Sequence, residues 1–160
     1  MTKFITKNKL PQLWDHLVSC GPLFLPVNEG TSVNFRAWEQ GDEVNLEAVN
    51  STTSPKGIFL PPWETYLQFS RAGKELTLTP AASAIPEGPV TAFGLRPCDV
   101  QAIQLLDLVF EHTEPADQLY CRRRERTTIV ALACSQPDPF CFCEAFGIDP
   151  VEAPGADVMA

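Results

Sequence analysis

Apolar and polar positions along the chain first give a helix. Leu10, Leu13, Leu17 and Val18 recur at roughly helical spacing over residues 8–19, and Cys20-Gly21-Pro22 ends the run. Short β-prone stretches follow at Leu23–Pro26, Val33–Trp38 and Val44–Ala48. Asn28-Glu29-Gly30 and Gly41-Asp42 punctuate them, which predicts an antiparallel meander. A proline-rich passage from Ser54-Pro55-Lys56 to Leu60-Pro61-Pro62-Trp63-Glu64 then leads to two further strands, 65–69 and 75–79, around Arg71-Ala72-Gly73. Trp63, Tyr66 and Phe69 in this region read as core or interface residues rather than as a cofactor box.

The pattern changes near Pro86. Val90–Leu95 is a short apolar run, Asp99–Phe110 has helical periodicity, Pro115–Arg124 is a second helical stretch, and Thr128–Ala133 is another apolar run. A strand-crossover-strand order predicts two parallel strands in one sheet. The fold class expected is α/β in the α+β sense, with a mixed sheet. Residues 1–85 form its mostly antiparallel part with one leading helix, and residues 86–160 form the parallel strand-helix-strand part, in one compact domain overall. There is no internal repeat and no low-complexity segment.

Composition narrows the function classes. The 160 residues are 44% hydrophobic and 20% charged, the balance of a globular protein. The 15 prolines, about twice average usage, mark a loop-rich domain. Twelve basic against 20 acidic residues leave a formal charge of -8, which offers no field to attract nucleic acid or anionic lipid. No apolar run approaches the roughly 20 residues of a membrane span. The charged N-terminal stretch is no secretory signal, so a cytoplasmic location is expected.

In a reducing compartment, clustered cysteines point to metal or redox chemistry rather than to disulfides. If the strands 90–95 and 128–133 are parallel neighbours, their C-terminal ends share one edge. Cys98 in Gly94-Leu95-Arg96-Pro97-Cys98-Asp99 then faces Cys134, Cys141 and Cys143 of the segment 134–143. Four thiolates on one rim suit an iron-sulfur cluster. Asp99 is placed to cap the following helix, and its N-terminal amides with Arg96 offset some of the cluster's negative charge. Zinc in the same four thiolates, as a structural or interaction module, is the alternative; against it, the C-x2-C pairs usual for zinc are absent. The C-x6-C-x-C spacing is not a standard ferredoxin run either, so spacing alone leaves cluster, zinc and unliganded thiols open. A flavin- or nucleotide-binding domain is a third reading, weakened because Gly94-Leu95-Arg96-Pro97 lacks closely spaced glycines. Cys20, Cys121, His16 and His112 read as structural, and Arg122-Arg123-Arg124 as a solvated helix face.

At these residues the chain resembles a known family, the iron-sulfur beta subunits of soluble sulfhydrogenases and the A subunit of anaerobic sulfite reductase, over the N-terminal part of those proteins. The resemblance is carried by Ser54-Pro55-Lys56 with Leu60-Pro61-Pro62-Trp63-Glu64, by Phe93-Gly94-Leu95-Arg96-Pro97-Cys98-Asp99 and by Leu105-Leu106-Asp107. It continues through Tyr120 with Arg123 and Arg124, then Ala133-Cys134 and Phe140-Cys141-Phe142-Cys143. It implies an electron-transfer component rather than a catalyst on its own. Its partners would be a flavin- and NAD(P)H-handling subunit and a catalytic subunit. Its cofactor would be a cluster, a 4Fe-4S one, held by Cys98, Cys134, Cys141 and Cys143 with Arg96 beside it. Family members continue into a ferredoxin-like region with two C-x2-C-x2-C-x3-C-P runs. None is present in these 160 residues, so the expectation is an N-terminal domain or a shorter relative that cannot itself form a multi-cluster wire.

Overall fold

The computed structural model describes residues 4–80 and 88–160. The predicted change of character at Pro86, and with it the 85/86 boundary, lies outside the described residues. Helix α1, Leu10–Cys20, follows a single 3-10 turn at Lys7–Lys9. It stops at Gly21, where a Cβ would fall 2.0 Å from the carbonyl oxygen of Pro89. Strands β1 (Leu23–Glu29) and β2 (Ser32–Ala37) form a hairpin, and β3 (Leu67–Ala72) and β4 (Glu75–Pro80) form another. Then come β5 (Val90–Leu95), α2 (Pro97–Phe110), α3 (Gln118–Arg126), β6 (Thr127–Ala131) and β7 (Val158–Met159).

The main sheet has the order β2-β1-β5-β6-β7. The pair β1/β2 is antiparallel, and β1/β5, β5/β6 and β6/β7 are parallel. A mixed α/β fold of the α+β kind is therefore what the chain adopts, and β1 of the first half pairs with β5 of the second in one sheet.

Alternation along the strands divides the core between the two faces of the sheet. Ala92, Leu95, Ile129 and Ala131 pack with Val100 and Ile103 of α2, Tyr120 of α3 and Phe59. Leu23, Leu25, Val27, Phe93 and Val130 face the other way, against Leu13, Trp14 and Leu17 of α1 and the loop residues Trp38, Val44 and Leu46. Strict alternation would put Leu95 on the same face as Phe93, yet it lies opposite. The β5/β6 register shifts between Phe93 and Leu95, at Gly94, whose φ of 100° is a conformation side chains disfavour. The bulge returns Leu95 to the helix-covered core and turns Arg96 to the side where the 44–48 loop lies.

Three expectations are corrected. Val44–Ala48 is not a strand: only Val44 bridges Val27. The Asn45 side chain accepts from the amides of Glu47 and Ala48, which bends the chain out of extension, so the meander reduces to a hairpin. Trp63 and Phe69 are 83% and 73% exposed and Tyr66 is exposed too, so none of them is core. They belong to or precede the β3/β4 hairpin, a separate two-stranded sheet whose register aligns Leu67, Phe69, Leu76 and Leu78 on one uncovered face. Finally, Arg123 and Arg124 are not a solvated face: Arg123 pairs with Glu64, and Arg124 with Asp107 at 3.1 Å.

Candidate functional site

Because β5 and β6 run parallel, the segments leaving their C-terminal ends emerge on one edge of the sheet. The first is Arg96-Pro97-Cys98-Asp99. Pro97 occupies the first position of α2, where its missing N–H costs nothing. Asp99 reaches back to accept from the Arg96 amide at 3.3 Å. Cys98 is thereby fixed in the opening turn of α2. The second segment leaves β6 through Leu132 and Ala133 to Cys134, then runs through Cys141 and Cys143 to a single 3-10 turn at Glu144–Phe146.

Between them lies a cavity of about 440 Å³ lined by Arg96, Cys98, Cys134, Cys141 and Cys143. All five residues singled out from the sequence are thus brought to one place. Cys20 ends α1 and Cys121 sits in α3, and neither lines the cavity. Pro97, Ser135, Gln136, Pro137 and Glu144 of the same two segments also line it, and Val49, Asn50, Ile148 and Pro150 reach it from elsewhere. Nothing in the sequence marks these last four, because they arrive from loops whose placement depends on tertiary contacts.

The cysteine segment is held by its own main chain. The amide of Cys134 donates to Pro150 at 2.7 Å, that of Cys141 to Asp138 at 3.0 Å, and that of Ile148 to Cys143 at 2.9 Å. The amide of Asp138 donates to Cys141 Sγ at 3.3 Å, and the thiol of Cys134 donates to the Gln136 carbonyl at 3.3 Å. Cys143 is near enough to Cys98 to act on its thiol. Burial first, then the charge of Asp99 and the neighbouring Cys143, push the Cys98 thiol up to about 12. These effects outweigh the helix N-terminus, which on its own favours a thiolate. Asp99 is itself raised by burial, against the lowering effect of the Arg96 amide and of Lys56.

Arg96 is only 8% exposed. Its guanidinium donates to the carbonyls of Leu46 at 2.7 Å, Ala48 at 2.7 and 3.2 Å, and Ala133 at 2.8 Å. It ties the 46–48 loop to the end of β6 while leaving a positive charge in the cavity wall.

Four thiols are a chemically sound donor set for an iron-sulfur cluster, and the cavity is far larger than one ion needs. A tetrahedral zinc site would draw its sulfurs to about 3.8 Å from one another, given Zn–S bonds of about 2.3 Å. Among the described residues no group of three or more His, Cys, Asp or Glu stands at such ion-holding spacing, so the zinc alternative finds no support in the geometry.

Fold and site together define a mixed α/β domain with a cysteine-lined cavity at the C-terminal edge of its parallel strands. Among known proteins, the chain is similar to sulfhydrogenase 2 subunit beta of Pyrococcus furiosus, with 29% identity over 139 residues, 87% of this chain. That likeness bears out the resemblance to the sulfhydrogenase beta-subunit family. The chain spans 39% of the length of that relative. No protein-family model and no solved structure matches it. No helix among the described residues is long and apolar enough to cross a membrane.

Proposed function

We propose that the chain binds an iron-sulfur cluster, of the 4Fe-4S kind, through Cys98, Cys134, Cys141 and Cys143, and serves as an electron-transfer part of a sulfhydrogenase- or sulfite-reductase-type complex in the cytoplasm. Its partners in that reading are a flavin- and NAD(P)H-handling subunit and a catalytic subunit. The observation that carries the reading is the meeting of four of the six cysteines, from two distant segments, in one cavity, while the other two stay away. A bound cluster would supply one-electron redox chemistry.

The chain's own groups suit that task in two ways. The Asp138 amide already points at Cys141 Sγ, and hydrogen bonds to cluster sulfurs are a lever on potential. The N-terminal turn of α2 and the Arg96 charge bring positive potential to an anionic group.

The test is anaerobic purification or reconstitution followed by iron and acid-labile sulfide analysis. Iron and sulfide in equal amounts, with visible absorption bleached by dithionite, are expected. Ser at 98, 134, 141 or 143 should remove or weaken the cluster, and Cys20→Ser should not. Colourless protein that resists reconstitution, or stoichiometric zinc without sulfide, would sink the reading.

A further inference from the structure

The surface around the cysteines combines exposed aromatic rings with acidic side chains. Phe140, Phe142 and Phe146 are 82%, 68% and 77% exposed, and they alternate with or closely follow Cys141 and Cys143. Local bonds hold them there: the Phe146 amide donates to the carbonyls of Phe142 and Cys143, and the Phe140 amide to the Asp138 carboxylate at 2.9 Å. Three ordered aromatic rings in water, beside a cavity mouth, form the kind of apolar patch that marks an interaction surface.

Charge says what kind of partner fits it. From Thr127 to the last residue the chain has five acidic side chains, Asp138, Glu144, Asp149, Glu152 and Asp157, and no lysine or arginine. Four of them lie in the stretch that carries the aromatic rings. Of the nearby cations, Arg96 is buried with its donors on carbonyls, Lys56 is half-buried, and Lys7 lies 4.0 Å from Glu47. The segment that carries the rim thus combines exposed phenylalanines with acidic side chains and has no basic residue of its own.

We infer that this rim docks a redox protein whose own face is a basic ring around an apolar, cofactor-exposing patch. The inference rests on the electron-transfer reading and names its partner by chemistry. Complementary charge raises the encounter rate and sets orientation. A few desolvated aromatic rings then suffice, because electron-transfer encounters use small, weak interfaces. One electron leaves the reduced group held by the four cysteines and one-electron-reduces the acceptor, with no proton or ligand exchanged.

Cytochrome c, basic around an exposed haem edge, is a probe of that chemistry. The dithionite-reduced, reconstituted protein is mixed anaerobically with ferric cytochrome c at varied salt, and binding of oxidised cytochrome c is measured separately by calorimetry. Asp149→Lys/Glu152→Lys should slow second-order reduction and weaken binding at least tenfold at low salt, with iron content unchanged. Phe146→Ser should weaken binding several-fold at all salt concentrations. Glu111→Lys/Glu125→Lys makes the same change in net charge at the opposite edge of the sheet and should do much less. Equal effects of the two double variants would overturn the inference, since only net charge would then matter. Self-association through the Phe rim, seen by sedimentation and abolished by Phe146→Ser, would also overturn it in favour of a second copy of the chain. A protein that binds cytochrome c at the rim but carries no iron or sulfide defeats the cluster reading and leaves the docking face standing. A protein with a normal cluster and rim-independent reduction does the reverse.

Discussion

Arg96 and Gly94 show how two residues that are not sulfur ligands position the site. The Arg96 guanidinium satisfies three main-chain carbonyls at once, which a lysine ammonium on a flexible stem cannot span. Arg96→Met is expected to cost about 3 kcal/mol, from lost charge-assisted hydrogen bonds and acceptors left without a donor, read by urea denaturation. Arg96→Lys should recover less than half of that. Gly94→Ala forces a side chain into positive φ and to within 3.1 Å of Pro26, and should cost about 1–3 kcal/mol. Gly57→Ala, in open space, should cost little. The Arg-Pro-Cys-Asp run made Arg96 conspicuous in the sequence but not its partners. Those depend on the bulge, and a single glycine among alternating apolar residues does not announce a parity change.

At the scale of elements, α2 and α3 are locked by a group that the sequence displays but does not assemble. Buried Tyr120 donates its hydroxyl to Asp107, which also receives Arg124, and the Arg124 guanidinium lies 6.0 Å from the Phe59 ring. Burial and the Asp107 carboxylate raise the tyrosine pKa, so the phenol stays protonated as a donor. Tyr120→Phe should cost about 1 kcal/mol, and Asp107→Ala about 3 kcal/mol because it strands two donors. Among the described residues, the exposed β3/β4 hairpin has no such buried lock. Since a two-stranded sheet is marginal by itself, its amides should exchange with deuterium far faster than those of β5 and β6.

Most elements were legible because the strand and helix periods are clean: α1, the two hairpins, and the β5-α2-α3-β6 order all follow from apolar spacing. The two-residue strand β7 was not, being too short to carry a period and held by pairing to β6. That the aromatic residues at 63, 66 and 69 are not core was illegible for a related reason, since β-propensity reports fit to a pleated surface and not which side is covered.

For the molecule as a whole, the parallel crossover is what made the candidate site readable. Two loops at one sheet edge follow from topology alone, whereas the cavity's remaining wall and the carbonyl clip follow from packing. Acid stability offers a test away from that site. Arg36 and the Glu39 amide hold Asp42 below the ordinary carboxylate range, and Asn34 and Arg36 do the same for Glu29. A lowered folded-state pKa stabilises above the unfolded value and is lost as pH falls through the folded one. Asp42→Asn should therefore be less stable than wild type near neutrality, with the gap closing below about pH 4, measured by denaturation at stepped pH.

The strand β7 has an effect beyond its length. Ala160 accepts from Ala133 at 3.0 Å, and Asp157 exchanges main-chain and carboxylate bonds with Ile129, so the long excursion between them is fastened at both ends like a clasped strap. The entropy of ordering that strap is met by folding itself and not by whatever the thiols later grip. Far-UV circular dichroism should accordingly be nearly the same with and without iron, and chelation should cause no cooperative collapse, the opposite of a finger that curls only around its metal.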